Sequence, residues 1–597
     1  MNIDNKIRSN ISSAFKILYN YDVNKENIQI QSTPNEFKGY FTVVLFQFAK
    51  ILKKKPDDIG KNIGNYLIKK TTFIEEFNVV KGFLNIDINK ESWVSFFYNI
   101  YSKENWGYNK SNNKEVMIEF SSPNTNKPLH LGHLRNIFLG YSVSKILEAS
   151  GYKVHKVQII NDRGIHICKS MIAWKKFGNG ETPKSSGLKG DHLVGKYYVL
   201  FQKKFKSEVE TLLKKGLTIE EAEKNSSIFK EAQELLIKWE NKDSETLKLW
   251  KMMNEWVYDG FSRTYDNLGV SFDKIYYESD TYIHGKKEVI KGLKSNIFYK
   301  KSDGSIWIDL AKKGFDKKLL IRKDGTSVYM TQDIGTAILR FKDFPKIESQ
   351  IYTVGNEQEY HFKVLFKILE VLGFSWAKEC FHLSYGMIDL PSGKMKSREG
   401  KVVDADSLLE EMIDMSESRT KELGKIEDFN KQELNMLYNT VALSAIKFFL
   451  LKTDPKKNML FDPEESIDFQ GSTGPFVQYT YARITSILSR AKKLKININL
   501  TIPFEFNNIN EFEKKIIYAI SIFPDKVMMA SKEYSPSIIA NYVYDLSKVY
   551  NRFYQEVSIF NDKKNETKVF RAALSNMVYR IIYSSMDMLG IKMTQKM

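Results

Sequence analysis

Residues 116–160 carry the pattern that most limits what this chain can fold into. Val116 to Phe120 (VMIEF) is an apolar, strand-like run. Ser121 to Leu129 (SSPNTNKPL) holds Pro123 and Pro128 among turn formers, which rules out regular structure there. HLGHLRNIFLGYSVSKILEASG then has helical periodicity and stops at Gly151, and Val154 to Ile160 reads as a second strand. Strand, helix and strand at this spacing open a parallel, nucleotide-binding α/β sheet of the Rossmann type.

The rest of the chain must be fitted around that unit. Its 597 residues suggest about three to five domains at roughly 100–200 residues each. Residues 1–110 read as a small α+β unit, in which FTVVLFQFAKILKKK has helical apolar spacing and GFLNIDI alternates like a strand. Pro34 and Gly39 punctuate the approach to that helix, and the polar run Ser111 to Glu115 (SNNKE) looks like a linker. The sheet domain is expected over 111–405. Its charged helical stretch from Lys175 to Tyr265 predicts an insertion over about 175–320. The sheet pattern resumes near Ser327 (SVYMTQDIGTAILRF) and Ile351 (IYTVGNEQEYHF). Beyond Val403 the pattern is almost wholly helical, divided into a connecting region, 406–460, and a final helical domain, 461–597.

Charge narrows the partners. Lys and Arg number 90 against 72 Asp and Glu, a net +18. A basic surface favours a polyanion, nucleic acid before an acidic membrane. Lys, Asn, Ile, Phe and Tyr are abundant throughout, as an AT-rich coding sequence would make them, so charge does not decide the matter. Cys168 and Cys380 stand far apart with no Cys-x-x-Cys pair, which leaves neither a zinc knuckle nor a disulfide framework. Reduced, structural cysteines are expected, in a cytoplasmic setting. The start, MNIDNKIRSNISSAF, lacks a signal-peptide core, and no apolar run approaches the ~18 residues of a membrane span.

The strongest chemical constellation is His130-Leu131-Gly132-His133. Two imidazoles three residues apart at a helix start face the same way. The free N–H groups and positive dipole end there suit a phosphate. Gly132 leaves room for a flat base against the backbone. Two imidazole donors can stabilise charge building on a phosphoryl group. Taken alone, such a string is also compatible with a surface His pair or part of a metal site.

IEFSSPNTNKPLHLGHLRN resembles the first signature of class I aminoacyl-tRNA synthetases, in the form used by arginyl-tRNA synthetases. Lys394-Met395-Lys396-Ser397-Arg398 resembles their second signature, the K-M-S-K-S loop. STGPFVQYTYARI and the ending RAALSNMVYRIIYSSMDMLGIKMTQKM are similar to the helical anticodon-binding domain, and NEFKGYFTVVLFQFAKIL to the extra N-terminal domain of arginyl enzymes. The resemblance implies activation of arginine by ATP, with Mg²⁺ accompanying the nucleotide. Transfer to the 2′-hydroxyl of the terminal adenosine of tRNA(Arg) follows, in a cytoplasmic monomer. It places His130, Gly132 and His133 on ATP. Lys394, Met395, Lys396 and Ser397 fall on the loop that binds the nucleotide and pyrophosphate. It places arginine contacts at Glu119, Asn124, Tyr329, Asp333 and Gln358. Tyr329 and Asp333 lie one helical turn apart and could reach one pocket. The fourth loop position holds Ser397 where the family has lysine, and Lys127, just before the first signature, is matched to the missing charge.

Other groups carry weaker signals. His361 lies near the site through Gln358. His155, His166, His192, His284 and His382 show no ligand spacing. Tyr479, Tyr481, Tyr550 and Phe553 could stack anticodon bases, although their helical spacing points to core positions. Three rival readings are a class I synthetase for another amino acid, a small-molecule nucleotidylyltransferase and an inert RNA-binding relative. Absent metal-ligand cysteines oppose a cysteine enzyme. The long helical C-terminus opposes the nucleotidylyltransferase, and the intact His130, His133 and Lys394 oppose the inert relative.

Overall fold

Five strands form the central sheet, all parallel to their neighbours. The computed structural model describes residues 3–34, 36–391, 403–422, 429–498, 500 and 509–597. Ahead of that sheet lies a four-stranded antiparallel sheet of β1 (Ile30–Ser32), β2 (Phe41–Val44), β3 (Ile74–Val80) and β4 (Phe83–Ile88), in the order β1-β2-β4-β3. FTVVLFQFAKILKKK is therefore not one helix. Its first four residues are β2, and only Phe46–Leu52 is helical. The β-branched Thr42, Val43 and Val44 suit a pleated strand, and Thr42 reaches Asn85 across the pair with β4 at 2.6 Å. Pairing with β4 overrides an apolar spacing that a helix would also satisfy.

The central sheet comprises β5 (Glu115–Glu119), β6 (Lys153–Ile160), β7 (Lys274–Tyr277), β11 (Ile347–Gly355) and β12 (Phe381–Tyr385), ordered β12-β11-β5-β6-β7. Between β7 and β11 stands a small antiparallel sheet of β8 (Tyr299–Lys300), β9 (Ile306–Ile308) and β10 (Lys318–Ile321). From β5 the chain winds outward through β6 to β7, then returns to build β11 and β12 on the other side. The strand order reverses between β5 and β11, where ligands of open α/β sheets bind at the carboxyl ends.

Within the stretch read as an insertion, helices at Gly190–Lys214, Ser227–Glu240 and Ser244–Leu268 pack on one another, as the charged pattern suggests. The same stretch contains β7, which pairs with β6 from Val157↔Lys274 to Ile160↔Tyr277. The span 175–320 is thus interrupted by a strand of the main sheet. Four residues at a sheet edge are too short to give a periodic signal. The pattern near Ser327 resolves into a helix, Tyr329–Asp343, leading into β11.

The C-terminal region is helical, with Lys431–Lys452, Gly474–Lys493, Ser537–Glu556 and Asn565–Met588 as its longest members. Lys431–Lys452 is apolar and long enough to cross a membrane by length and composition alone, but 67% of that window is buried inside the fold, as in a core helix. The N-terminal unit docks on this bundle. Trp106 Nε1 donates to the Ile520 carbonyl at 2.9 Å, Tyr101 to Ile498 at 2.8 Å, and the Phe41 ring meets Tyr518 edge-on at 5.4 Å.

Candidate active site

After Glu119 the chain must leave β5 sharply. Ser121 adopts a left-handed φ of 60°, and its N–H donates to Asn136 Oδ1 at 2.6 Å. Asn136 also donates to Thr353 O at 2.7 Å and Tyr385 Oη at 3.2 Å, so one side chain on the following helix gathers the ends of β5, β11 and β12. The proline-bearing loop then runs across the end of β6, where Asn161 N–H donates to Pro123 O and Thr125 N–H to Asn161 O. It delivers His130 in an extended conformation as N-cap of the helix Leu131–Ala149.

The rings of His130 and His133 lie against each other with centroids 3.8 Å apart, tilted by 35°. The His130 backbone N–H donates to His133 Nδ1 at 3.1 Å, which leaves the His133 proton on Nε2. Burial, reinforced by Lys127, lowers the pKa of His130 to about 3. Burial, with His130 and Lys127, holds His133 well below the usual imidazole range. Both rings are therefore neutral donors at physiological pH. Burial also lowers the pKa of Lys127. Lys127 and His130 border a cavity of about 480 Å³ whose far wall carries His192, Tyr198 and Asp404.

His192, which shows no ligand spacing in the sequence, belongs to a polar cluster on that wall. Its Nε2 lies 3.1 Å from Asp406 and 3.4 Å from Asp404, and the Asp406 carboxylate raises its pKa. Asp191, His192 and Asp406 bring their ligand atoms within 4.8 Å of one another, but Lys189 already sits against both Asp406 and Asp191. That lysine supplies the positive charge a cation would bring, so these residues do not fit a resident metal.

The expected arginine contacts divide. Asp333, in the first turns of Tyr329–Asp343, pairs with His361 Nε2 at 2.6 Å, which brings His361 into the site. Tyr329, one turn earlier, is 74% exposed, so the two side chains are not enclosed in one pocket. Glu119 is buried, but the wholly buried guanidinium of Arg340 pairs with one of its oxygens and Ser122 Oγ donates to the other at 3.1 Å. Asn124 and Gln358 are exposed at the carboxyl ends of the strands, Asn124 bridged to Asn161 and Gln358 in the turn Asn356–Gln358. Lys394, Met395, Lys396 and Ser397 lie outside the described residues.

Sequence reasoning missed Glu278. It is 8% exposed and immediately follows β7. Burial raises its carboxyl to about 7, with Asp162 and Asp333 adding to the effect and Arg163 opposing it. Its position is set by Asp162, just past β6, whose carboxylate accepts from Ser279 N–H at 2.9 Å, Ser279 Oγ at 2.7 Å and Tyr258 Oη at 2.9 Å. The helix Glu278–Lys294 then packs directly on Tyr329–Asp343 through glycines. A Cβ on Gly335 would lie 2.2 Å from Gly285 N. This close approach brings Glu278 and Asp333 into one electrostatic neighbourhood. In the sequence the signal is the acid pair of YYESD, which points to the site only once Lys274–Tyr277 is part of the main sheet.

A second cavity, about 1060 Å³, opens in the C-terminal helices. There Arg483 lies between the rings of Tyr479, 5.0 Å away, and Tyr554, 4.8 Å away, and Arg490 lies 5.3 Å from Phe560. Of the four aromatics singled out in the sequence, Tyr479 lines this cavity, whereas Tyr481, Tyr550 and Phe553 are at most 3% exposed in the core.

Three family models match in succession. They are the arginyl tRNA synthetase N-terminal domain over residues 2–88, the tRNA synthetases class I (R) catalytic domain over 98–463, and the DALR anticodon binding domain over 477–597. Arginine–tRNA ligases of Flavobacterium psychrophilum and Bacteroides thetaiotaomicron are each 51% identical to this chain, with 100% of both chains covered. The arginyl-tRNA synthetase of Thermus thermophilus shares the fold, with a TM-score of 0.77 at 22% identity and 100% of each chain covered. On full-length identity and three consecutive domain matches, this chain belongs to the class I aminoacyl-tRNA synthetases and, within them, to the arginine–tRNA ligases.

Proposed function

We propose that the chain activates arginine with ATP to arginyl-adenylate, releasing pyrophosphate, and then esterifies the 2′-hydroxyl of the terminal adenosine of tRNA(Arg). Support comes chiefly from two unlike groups of side chains at the carboxyl ends of one parallel sheet: the neutral His130–His133 pair, and the carboxylates Glu278 and Asp333. Neutral imidazoles can donate to phosphate oxygens as charge develops, without the tight ground-state attraction of two cations. Two acids in one electrostatic neighbourhood suit a guanidinium. Glu278 is the deeper of the two, and an arriving cation would return it to the carboxylate form.

In this reading Gly132 leaves space for the adenine. Lys127 shares the phosphate charge with Lys394 and Lys396, while Met395 and Ser397 complete the ATP contacts. Tyr329, Asn124 and Gln358 close over the bound amino acid from exposed positions, and Glu119 acts from its pairing with Arg340. Mg²⁺ travels with the ATP phosphates. The domain partition is 1–110 for an additional tRNA-binding unit, 111–405 for catalysis, 406–460 for connection and 461–597 for the anticodon. The cavity around Arg483, Tyr479 and Tyr554 suits stacking of unpaired bases. The enzyme works as a cytoplasmic monomer.

Arginine-dependent ATP–pyrophosphate exchange, run with and without cognate tRNA, tests the assignment. Exchange should require arginine and be far stronger with tRNA present. Glu278→Gln and Asp333→Asn should each raise the KM for arginine at least about tenfold, the scale of one lost charge-assisted hydrogen bond, with little change for ATP. Exchange that proceeds equally with another amino acid would refute the specificity.

A further inference from the structure

We propose that Arg135 is a positioning residue for the activation step, fixing the helix of His130 and His133 to the two chain stretches at Met387 and at 455–457. Arg135 follows His133 by two residues and is 2% exposed. Its Nη1 donates to the Met387 carbonyl at 3.0 Å. Its Nη2 donates to the carbonyls of Pro455 at 3.1 Å and Lys457 at 2.6 Å. No carboxylate forms an ion pair with it among the described residues, and burial lowers its pKa to about 10. Its hydrogen bonds among the described residues go to carbonyls, with Asp454 acting only as a more distant charge. Such a buried cation is a poor choice for stability, because an apolar side chain of similar length packs without the desolvation cost. What such a side chain lacks is a rigid planar fork that can hold three acceptors on two separate stretches at once.

Those stretches are joined to each other. Ile388–Asp389 pairs in parallel with Met459–Leu460, Gly386 N–H donates to Pro455 O at 2.9 Å, and Met459 N–H to Met387 O at 3.0 Å. A Cβ on Gly386 would lie 2.6 Å from the Lys457 carbonyl carbon, so the two stretches approach as closely as only glycine allows. On the far side of residues 392–402, Leu131 N–H donates to Val403 O at 3.2 Å and Ala405 N–H to Leu129 O at 3.0 Å. The described chain on either side of the second signature is thus held by the first turns of the histidine helix, through Arg135 on one side and through main chain on the other. Glu278 and Asp333, at the ends of other elements, are not part of this junction. The inference rests on the activation reaction proposed above, and the wild-type enzyme in the same exchange assay tests that reaction separately.

The experiment compares wild type with Arg135→Met and Arg135→Lys in arginine-dependent pyrophosphate exchange with tRNA, alongside thermal unfolding. Misplacing reacting groups by about 1 Å costs on the order of 100-fold, so Arg135→Met should lower kcat by about 10- to 100-fold. The KM for arginine should change less than about twofold, and Arg135→Lys, which keeps the charge but not the fork, should recover only part of the loss. Unchanged kcat, or a loss that only tracks the unfolded fraction, would overturn the proposal. Should Arg135→Met fail to fold, Arg135→Lys decides alone: a kcat loss with an unchanged arginine KM supports the role, and an unchanged kcat or a matching rise in KM removes it.

Discussion

At the scale of single residues, protonation state separates the two halves of the site. His130 and His133 stay neutral because burial and the nearby Lys127 oppose a second positive charge, and the His130 N–H selects the Nε2 proton on His133. Replacing His133 by Ala should lower the exchange rate about 100-fold or more, the scale of one lost transition-state donor, with ATP affinity changed far less. With His130 at about 3, the histidine pair should add no inflection to the rate between pH 6 and 8. Glu278, raised to about 7, should add one. On the proposed role of Glu278, arginine capture requires its carboxylate, so kcat/KM for arginine should rise as pH passes upward through 7. A pH profile of wild type and Glu278→Gln checks both statements, since the variant should lose the rising limb.

At the scale of elements, the two helices that carry Glu278 and Asp333 touch backbone to backbone. A Cβ on Gly285 would lie 1.8 Å from the Thr331 carbonyl oxygen, and one on Gly335 would lie 2.2 Å from Gly285 N. Backbone atoms cannot move aside as a flexible side chain would. Gly335→Ala should therefore push Glu278–Lys294 away from Tyr329–Asp343 and cost about 1–3 kcal/mol, the usual range for overpacking. It should also raise the arginine KM while leaving that for ATP unchanged. Calorimetry and exchange kinetics on the same preparation measure both. A fall in stability without a change in arginine KM would mean that the glycines serve packing alone.

At the scale of the whole molecule, the C-terminal segment closes on the back of the histidine helix. Ser142 Oγ donates to Met588 O at 2.8 Å, Lys145 pairs with Asp587 at 3.3 Å, and Lys447 Nζ donates to Gly590 O at 2.6 Å. Lys447 is buried among these elements beneath the Phe138 ring, 5.3 Å away, and burial lowers its pKa to about 7. An unfolded chain keeps that lysine protonated up to about 10.4. Between those values the unfolded state binds more protons than the folded one, so this residue makes stability rise with pH from about 7 upward. Below about 7 both states carry the proton and the slope vanishes. Lys447→Met should abolish this part of the rise in melting temperature between pH 7 and 9. An identical pH dependence in the variant would show that Lys447 does not titrate there.

The sequence alone determined what depends on local chemistry: the β5–loop–helix unit, its end at Gly151, the helical character beyond Val403 and the histidine pair at a helix start. Each is carried by neighbouring residues whose conformational preferences agree. Tertiary structure decided what depends on partners distant in the chain. Phe41–Val44 became a strand because β4 was there to pair with it. Lys274–Tyr277 joined the main sheet from within an apparent insertion, and Glu278 entered the site with it. Asp333 met His361, and Glu119 was claimed by Arg340, 221 residues away. Burial, and with it the charge state of His130, Glu278 and Lys447, is a property of packed neighbours, which no local pattern encodes.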